Sequence, residues 1–179
     1  MKKPIFIIAF LLIAVITAPA QLKERDNLLG GTLGLWAKYT VPTFGINYEN
    51  QITQAGPGTI GLGGVFRFYT YSPTYPDLRY KYSFTSFGFQ TNYNFNQISD
   101  GKFVPFVGLV LGYNSVSASY TTVSGHTVYV VDYAYTSGMS AWGQVGMRYF
   151  FSPNVAGAVR INGGNYDFNT LELGVDFRF

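Results

Sequence analysis

With 12% charged residues, 18% aromatic residues and 21 glycines in 179 positions, the chain is poor in charge beside soluble domains, which are about one quarter charged. Its formal charge of +3 includes Lys2 and Lys3 of a leader-like segment, so the remainder is close to neutral and no nucleic-acid partner is implied. The absence of cysteine excludes disulfides and an amino-terminal lipid anchor, which leaves stability to packing and hydrogen bonds.

Lys2 and Lys3 precede an unbroken apolar run from Ile5 to Ile16, then Ala18, Pro19 and Ala20. This reads as a secretory signal peptide over residues 1–20, cleaved to give Gln21 as the first mature residue. The run is well short of the roughly 20 residues of a spanning helix. Residues 21–28 are charged and aperiodic, and form a short periplasmic lead-in. From residue 29 to residue 179 the period is two and no helical repeat occurs, so one all-β domain is expected.

Eight alternating segments follow in order. The first sets Leu33, Leu35, Ala37 and Tyr39 opposite Thr32, Gly34, Trp36 and Lys38. A tight turn at Pro42–Thr43 leads to a short second segment, where Phe44, Ile46 and Tyr48 oppose Asn47 and Glu49. After Gly56-Pro57-Gly58, Ile60, Leu62, Phe66 and Phe68 oppose Val65, Arg67 and Tyr69. The fourth places Phe87, Phe89, Tyr93 and Phe95 against Ser86, Gln90, Asn92 and Asn94, and ends at Ser99-Asp100-Gly101, a turn signal. The fifth shows Val107, Leu109, Leu111 and Tyr113 against Phe106, Val110 and Asn114. The sixth turns Val145, Met147, Tyr149 and Phe151 away from Trp142, Gln144 and Arg148. Across Ser152-Pro153-Asn154, Val159 and Ile161 oppose Arg160 and Asn162. Gly163-Gly164 leads to the last segment, where Leu171, Leu173, Val175, Phe177 and Phe179 alternate with Glu172, Gly174, Asp176 and Arg178.

That closing segment resembles the last strand of small eight-stranded bacterial outer-membrane β-barrels of the opacity and attachment type, which are porin-like in architecture. The resemblance implies that the barrel assembly machinery reads Phe177 and Phe179, and that the protein lies in the outer membrane among its lipids. Eight such segments in up-and-down order fit a closed antiparallel transmembrane barrel. Connections near residues 40–43, 72–79, 115–137 and 162–167 are expected outside the cell, and those near 50–58, 97–102 and 152–154 in the periplasm.

Alternation alone also fits a secreted, lipocalin-like soluble barrel with its sides inverted. The opposite face is rich in Gly, Ala and Asn, whereas water-facing surfaces are rich in lysine and glutamate. Aromatics gather toward the ends of the apolar face, as interfacial girdles do. Both features put lipid outside. The interior then holds Lys38, Arg67, Arg148, Arg160 and Arg178 with Glu49, Glu172 and Asp176. Buried charges must pair, which predicts a salt-bridge network filling a narrow lumen.

No cofactor or metal-ligand spacing is present. His126, the single histidine, lies near Ser124, Thr127 and Asp132 in one outer loop, but matches the palmitoyl-transferase barrels in residue type only. The His-x-Ser pattern of lipid A deacylases fails at Val128. An enzyme is therefore not expected. The stretch from Ser115 to Tyr135 reads as a protruding hairpin about Ser124-Gly125, with Tyr129, Val131, Tyr133 and Tyr135 on one side. Such an edge can add a strand from an extracellular protein partner. A structural or adhesive surface role is one reading of this chain, and a narrow porin-like channel for small solutes or ions is the other.

Overall fold

The computed structural model describes residues 21–36, 41–73, 78–96, 102–122, 127–129, 137–165 and 169–179. Nine strands are present among them: β1 Asn27–Trp36, β2 Val41–Ala55, β3 Gly58–Tyr71, β4 Leu78–Phe95, β5 Phe103–Thr122, β6 Thr127–Tyr129, β7 Gly138–Ser152, β8 Val155–Gly164 and β9 Thr170–Arg178. All pairings are antiparallel. The order β4-β3-β2-β1-β9-β8-β7-β5, with a further β4–β5 pairing, closes an eight-stranded ring. The short β6 lies outside that ring and pairs with β5 through Ser119↔Tyr129 and Thr121↔Thr127.

Closure leaves no open edge in the ring, so every strand finds two hydrogen-bonding neighbours without water. The seam between the first and last strands runs from Trp36↔Thr170 to Leu28↔Arg178. It ends in reciprocal 3.0 Å bonds, Phe179 N–H to the Asn27 carbonyl and Asn27 N–H to the Phe179 carbonyl.

The second segment departs from the sequence reading. Pro42 and Thr43 do not turn the chain; they sit inside β2, paired with Leu35 and Gly34. The strand is 15 residues long rather than short. A bulge between Gln51 and Thr53 breaks the alternation there, which disguises the continuation to Ala55. The reversal that follows is tight, at Gly56–Pro57, with Gly56 at φ 55°, the sign that a primed hairpin turn demands at its first central position. The connections at this end of the barrel, where the lead-in lies, are therefore short in the described chain, and Pro153–Asn154 makes another.

The lead-in is not a free tail. Asn27 and Leu28 already belong to β1. Before them, a turn closes through Asp26 N–H to the Lys23 carbonyl at 3.1 Å and Lys23 N–H to the Asp26 carboxylate at 2.8 Å. Arg25 N–H to the Gln51 carbonyl at 2.7 Å and Gln51 N–H to the Asp26 carbonyl at 2.9 Å hold it against β2. Leu22 is buried with Leu28, Val104, Phe150 and Ala156, so the segment floors the lumen.

Candidate functional site

Alternation assigns each strand one face in and one face out. The outward face is apolar: Phe89 is 83% exposed, Leu111 65%, Leu109 64% and Leu173 62%. Soluble monomers do not expose a continuous apolar band of this extent. In a bilayer the same band replaces lipid–lipid contact at no hydrophobic cost. On β4 and β5 it ends abruptly. Phe87 and Tyr113 are paired across the strands, with ring centroids 5.9 Å apart. The next outward pairs toward the far ends of the two strands, away from the lead-in, are Thr85↔Ser115 and Ser83↔Ser117.

The inward face is stacked in three layers. The lead-in cluster about Leu22 lies at one end, beside the β2–β3 and β7–β8 turns. A charged layer sits above it, and an aromatic roof of Tyr69, Tyr82, Phe84 and Trp142, with Val65 and Val110, closes the outer end. Tyr69 stacks on Phe84 with centroids 4.6 Å apart, and Tyr80 on Tyr82 at 6.2 Å.

The charged layer holds Arg67, Arg148 and Arg160 against Glu49, Glu172 and Asp176, each at most 2% exposed. Arg67 grips Glu172 with two bonds, Nε to Oε1 at 2.7 Å and Nη2 to Oε2 at 2.9 Å. Arg148 bridges Glu49 and Asp176, both at 2.7 Å, and Arg160 donates to Asp176 at 2.6 Å. Neutral amides complete the shell. Glu49 accepts from Asn94 at 2.6 Å, Asn92 at 2.7 Å and Gln51 at 2.8 Å, and Asn47 accepts from Arg67 at 2.8 Å. Phe106 lies beneath Arg148, 4.3 Å from guanidinium carbon to ring centroid. Glycines opposite the acids make this compactness possible: a Cβ at Gly61 would strike the Glu49 carboxylate, and one at Gly30 that of Asp176.

Of the eight lumen charges expected from the sequence, six meet in this layer. Lys38 lies outside the described residues. Arg178 is displaced from its expected place among Glu49, Glu172 and Asp176. It stands at the rim beside the lead-in, 3.6 Å from Asp26, where it donates to the Gln21 carbonyl at 3.1 Å and lies over Phe150 at 5.3 Å. The reason is its position at the last residue of β9, below the layer and beside the lead-in. Three cations then face three anions, so the expected excess of lumen cations is absent among the described residues.

The outer hairpin rises from the barrel on the β4–β5 side. β4 is 18 residues long and β5 is 20, and their pairing continues past the last β7 partner, Asn114↔Gly138, to Leu78↔Thr122. Tyr129 falls on β6 opposite Ser119. Val131, Tyr133, Tyr135, His126, Ser124 and Asp132 lie outside the described residues. The signal segment 1–20 does so too. Phe177 and Phe179 face outward, 52% and 69% exposed. Sequence reasoning missed Tyr82 and Phe84 in the roof, although they share the inward parity of Ser86 and Gln90. It put Gln90, Asn92 and Asn94 on the inward face without assigning Asn92 and Asn94 to the Glu49 carboxylate they bond.

A closed antiparallel ring with an apolar exterior and a charge-paired interior is a transmembrane β-barrel. No protein-family model and no curated sequence matches the chain. Among solved structures it is similar to Ail, the attachment invasion locus protein of Yersinia pestis, at 14% identity over 88% of this chain and 100% of that one, with a TM-score of 0.57. It is also similar to the N-terminal β-barrel domain of Pseudomonas aeruginosa OprF, at 14% identity over 87% and 98%, with a TM-score of 0.59. Neisserial surface protein A matches at 16% identity over 86% and 95%, with a TM-score of 0.53. The chain has the bacterial outer-membrane barrel fold.

Proposed function

We propose that the protein is a non-enzymatic integral outer-membrane barrel that acts at the cell surface through its outer hairpin and loops, in a structural or adhesive role. The observation that carries this reading is the filled lumen: floor, ion-pair layer and aromatic roof occupy successive levels of one narrow barrel. An eight-stranded barrel has an interior just wide enough for its side chains, so the interior supports the wall and the outer surface is left for contacts. Candidate contact residues are Tyr129, Val131, Tyr133 and Tyr135, with an extracellular protein as partner. The barrel assembly machinery is the partner proposed for Phe177 and Phe179, after export under the signal at residues 1–20. Ail, similar in fold, is by name an attachment protein.

Planar-bilayer recording tests the filled lumen. The expected trace shows no large, stable open level; a sustained conductance of porin size overturns the reading in favour of a channel. The non-enzymatic part is tested by His126→Ala, which is expected to leave lipid A acylation identical between cells expressing the two forms. A change in acylation assigns an enzyme.

A further inference from the structure

The outward surface of β4 and β5 changes chemistry row by row. Below the Phe87–Tyr113 pair lies an apolar groove of about 510 Å³ that runs across β3, β4 and β5 and is flanked by Ile46 and Tyr48 of β2 and Met139 of β7, with Phe89 and Leu111 among its walls. Gly64 lies on its floor: a Cβ there would meet nothing closer than the Gly88 carbonyl at 3.7 Å. Above the same pair come Thr85↔Ser115, Ser83↔Ser117 and Lys81↔Ser119. Lys81, Ser115 and Ser117 are exposed and the other three half-buried. The strip carries five hydroxyls and one ammonium, and no acid. A ribbon that faced only water would ordinarily carry charges of both signs.

The strip is held in a fixed lattice. Its reverse side carries the tyrosine stacks of the roof, Tyr69 on Phe84 and Tyr80 on Tyr82, and antiparallel pairing sets neighbouring hydroxyl-bearing carbons about 5 Å apart across the strands and about 7 Å apart along them. An apolar groove directly beneath a rigid, cationic, hydroxyl-lined strip is complementary to one kind of molecule, an amphiphile whose chains end where an anionic sugar head begins. We infer that this face of β4–β5 is a binding site for lipopolysaccharide. The groove takes an acyl chain over Gly64, and Lys81 with the serines takes the phosphorylated sugars. This rests on the outer-membrane assignment, because only there does such a lipid surround the barrel.

The test uses the folded full-length protein reconstituted in phosphatidylcholine nanodiscs. The thermal unfolding midpoint is read from the loss of heat-modifiable gel mobility. Lipopolysaccharide with a phosphorylated inner core is added at a fixed mole fraction, with phosphatidylglycerol at equal charge as the control. The expected result is an upward shift of several degrees with lipopolysaccharide and a much smaller one with phosphatidylglycerol. Lys81→Glu and Gly64→Leu, each compared with its own midpoint in phosphatidylcholine, are expected to lose most of the lipopolysaccharide-specific shift. A Cβ at position 64 meets nothing closer than 3.7 Å, and each variant's own midpoint in phosphatidylcholine reports that it has folded. A shift that survives either substitution, or a wild-type response equal to that with phosphatidylglycerol, overturns the site. Fractionation of the expressing cells is read separately: a soluble periplasmic product overturns the outer-membrane assignment itself.

Discussion

Arg67→Leu is expected to lower the stability of the folded barrel by about 3–5 kcal/mol, read as a fall in the urea midpoint in detergent or vesicles. Arg67 supplies both bonds from a cation to Glu172 among the described residues, and the Thr170 hydroxyl also donates to that carboxylate at 3.1 Å. Removal strands a carboxylate that is 1% exposed, and breaking a buried pair from one side carries a cost of this size. The double variant Arg67→Leu/Glu172→Leu is the control, since removing both charges is often neutral or stabilising. It is expected to recover most of the loss. Arg178→Leu should differ. Its pair with Asp26 is longer, at 3.6 Å, and both side chains touch solvent, so a loss of about 1 kcal/mol or less is expected. Equal losses for Arg67→Leu and Arg178→Leu would contradict this account of the lumen.

Phe179→Ala is expected to abolish most insertion in cells while leaving folding into detergent nearly intact. The ring is 69% exposed on the lipid-facing side, and alanine keeps the two backbone bonds to Asn27 that close the seam. What the folded state loses is a partly immersed aromatic side chain at the rim, worth no more than about 2 kcal/mol. Inside the cell the same ring belongs to the motif on which the assembly machinery is proposed to act. Membrane fractionation, paired with refolding in detergent, separates the two effects. Collapse in detergent would place Phe179 in the barrel's own stability instead.

Alternation was legible wherever a strand is half in lipid, because a face built for hydrocarbon and a face built for ion pairs leave opposite residues at every second position. Arg67, Arg148, Arg160, Glu49, Glu172 and Asp176 could be placed inside for that reason alone. Parity does not report height. Arg178 shares its face with Asp176 but lies one step nearer the periplasm, where the lead-in and not the network is its neighbour. The bulge after Gln51 interrupts the period, so a 15-residue strand reads as a short one. Pro42 reads as a turn residue, yet a strand near its first residues tolerates proline. The roof was hidden for another reason: Tyr82 and Phe84 are as apolar as the lipid-facing residues, and only their parity with Ser86 reveals that they point inward.

The wall of this barrel is uneven around its circumference. β4 and β5 run for 18 and 20 residues, whereas β1 and β8 run for 10 and β9 for 9. At about 3.3 Å per residue the difference is a substantial fraction of a bilayer thickness, and it lies on one side. A molecule drifting in the membrane plane therefore meets a tall wall from one direction and a low one from the opposite direction. In a crowded membrane this gives the barrel a front and a back, so that close neighbours are sorted by the bearing from which they approach.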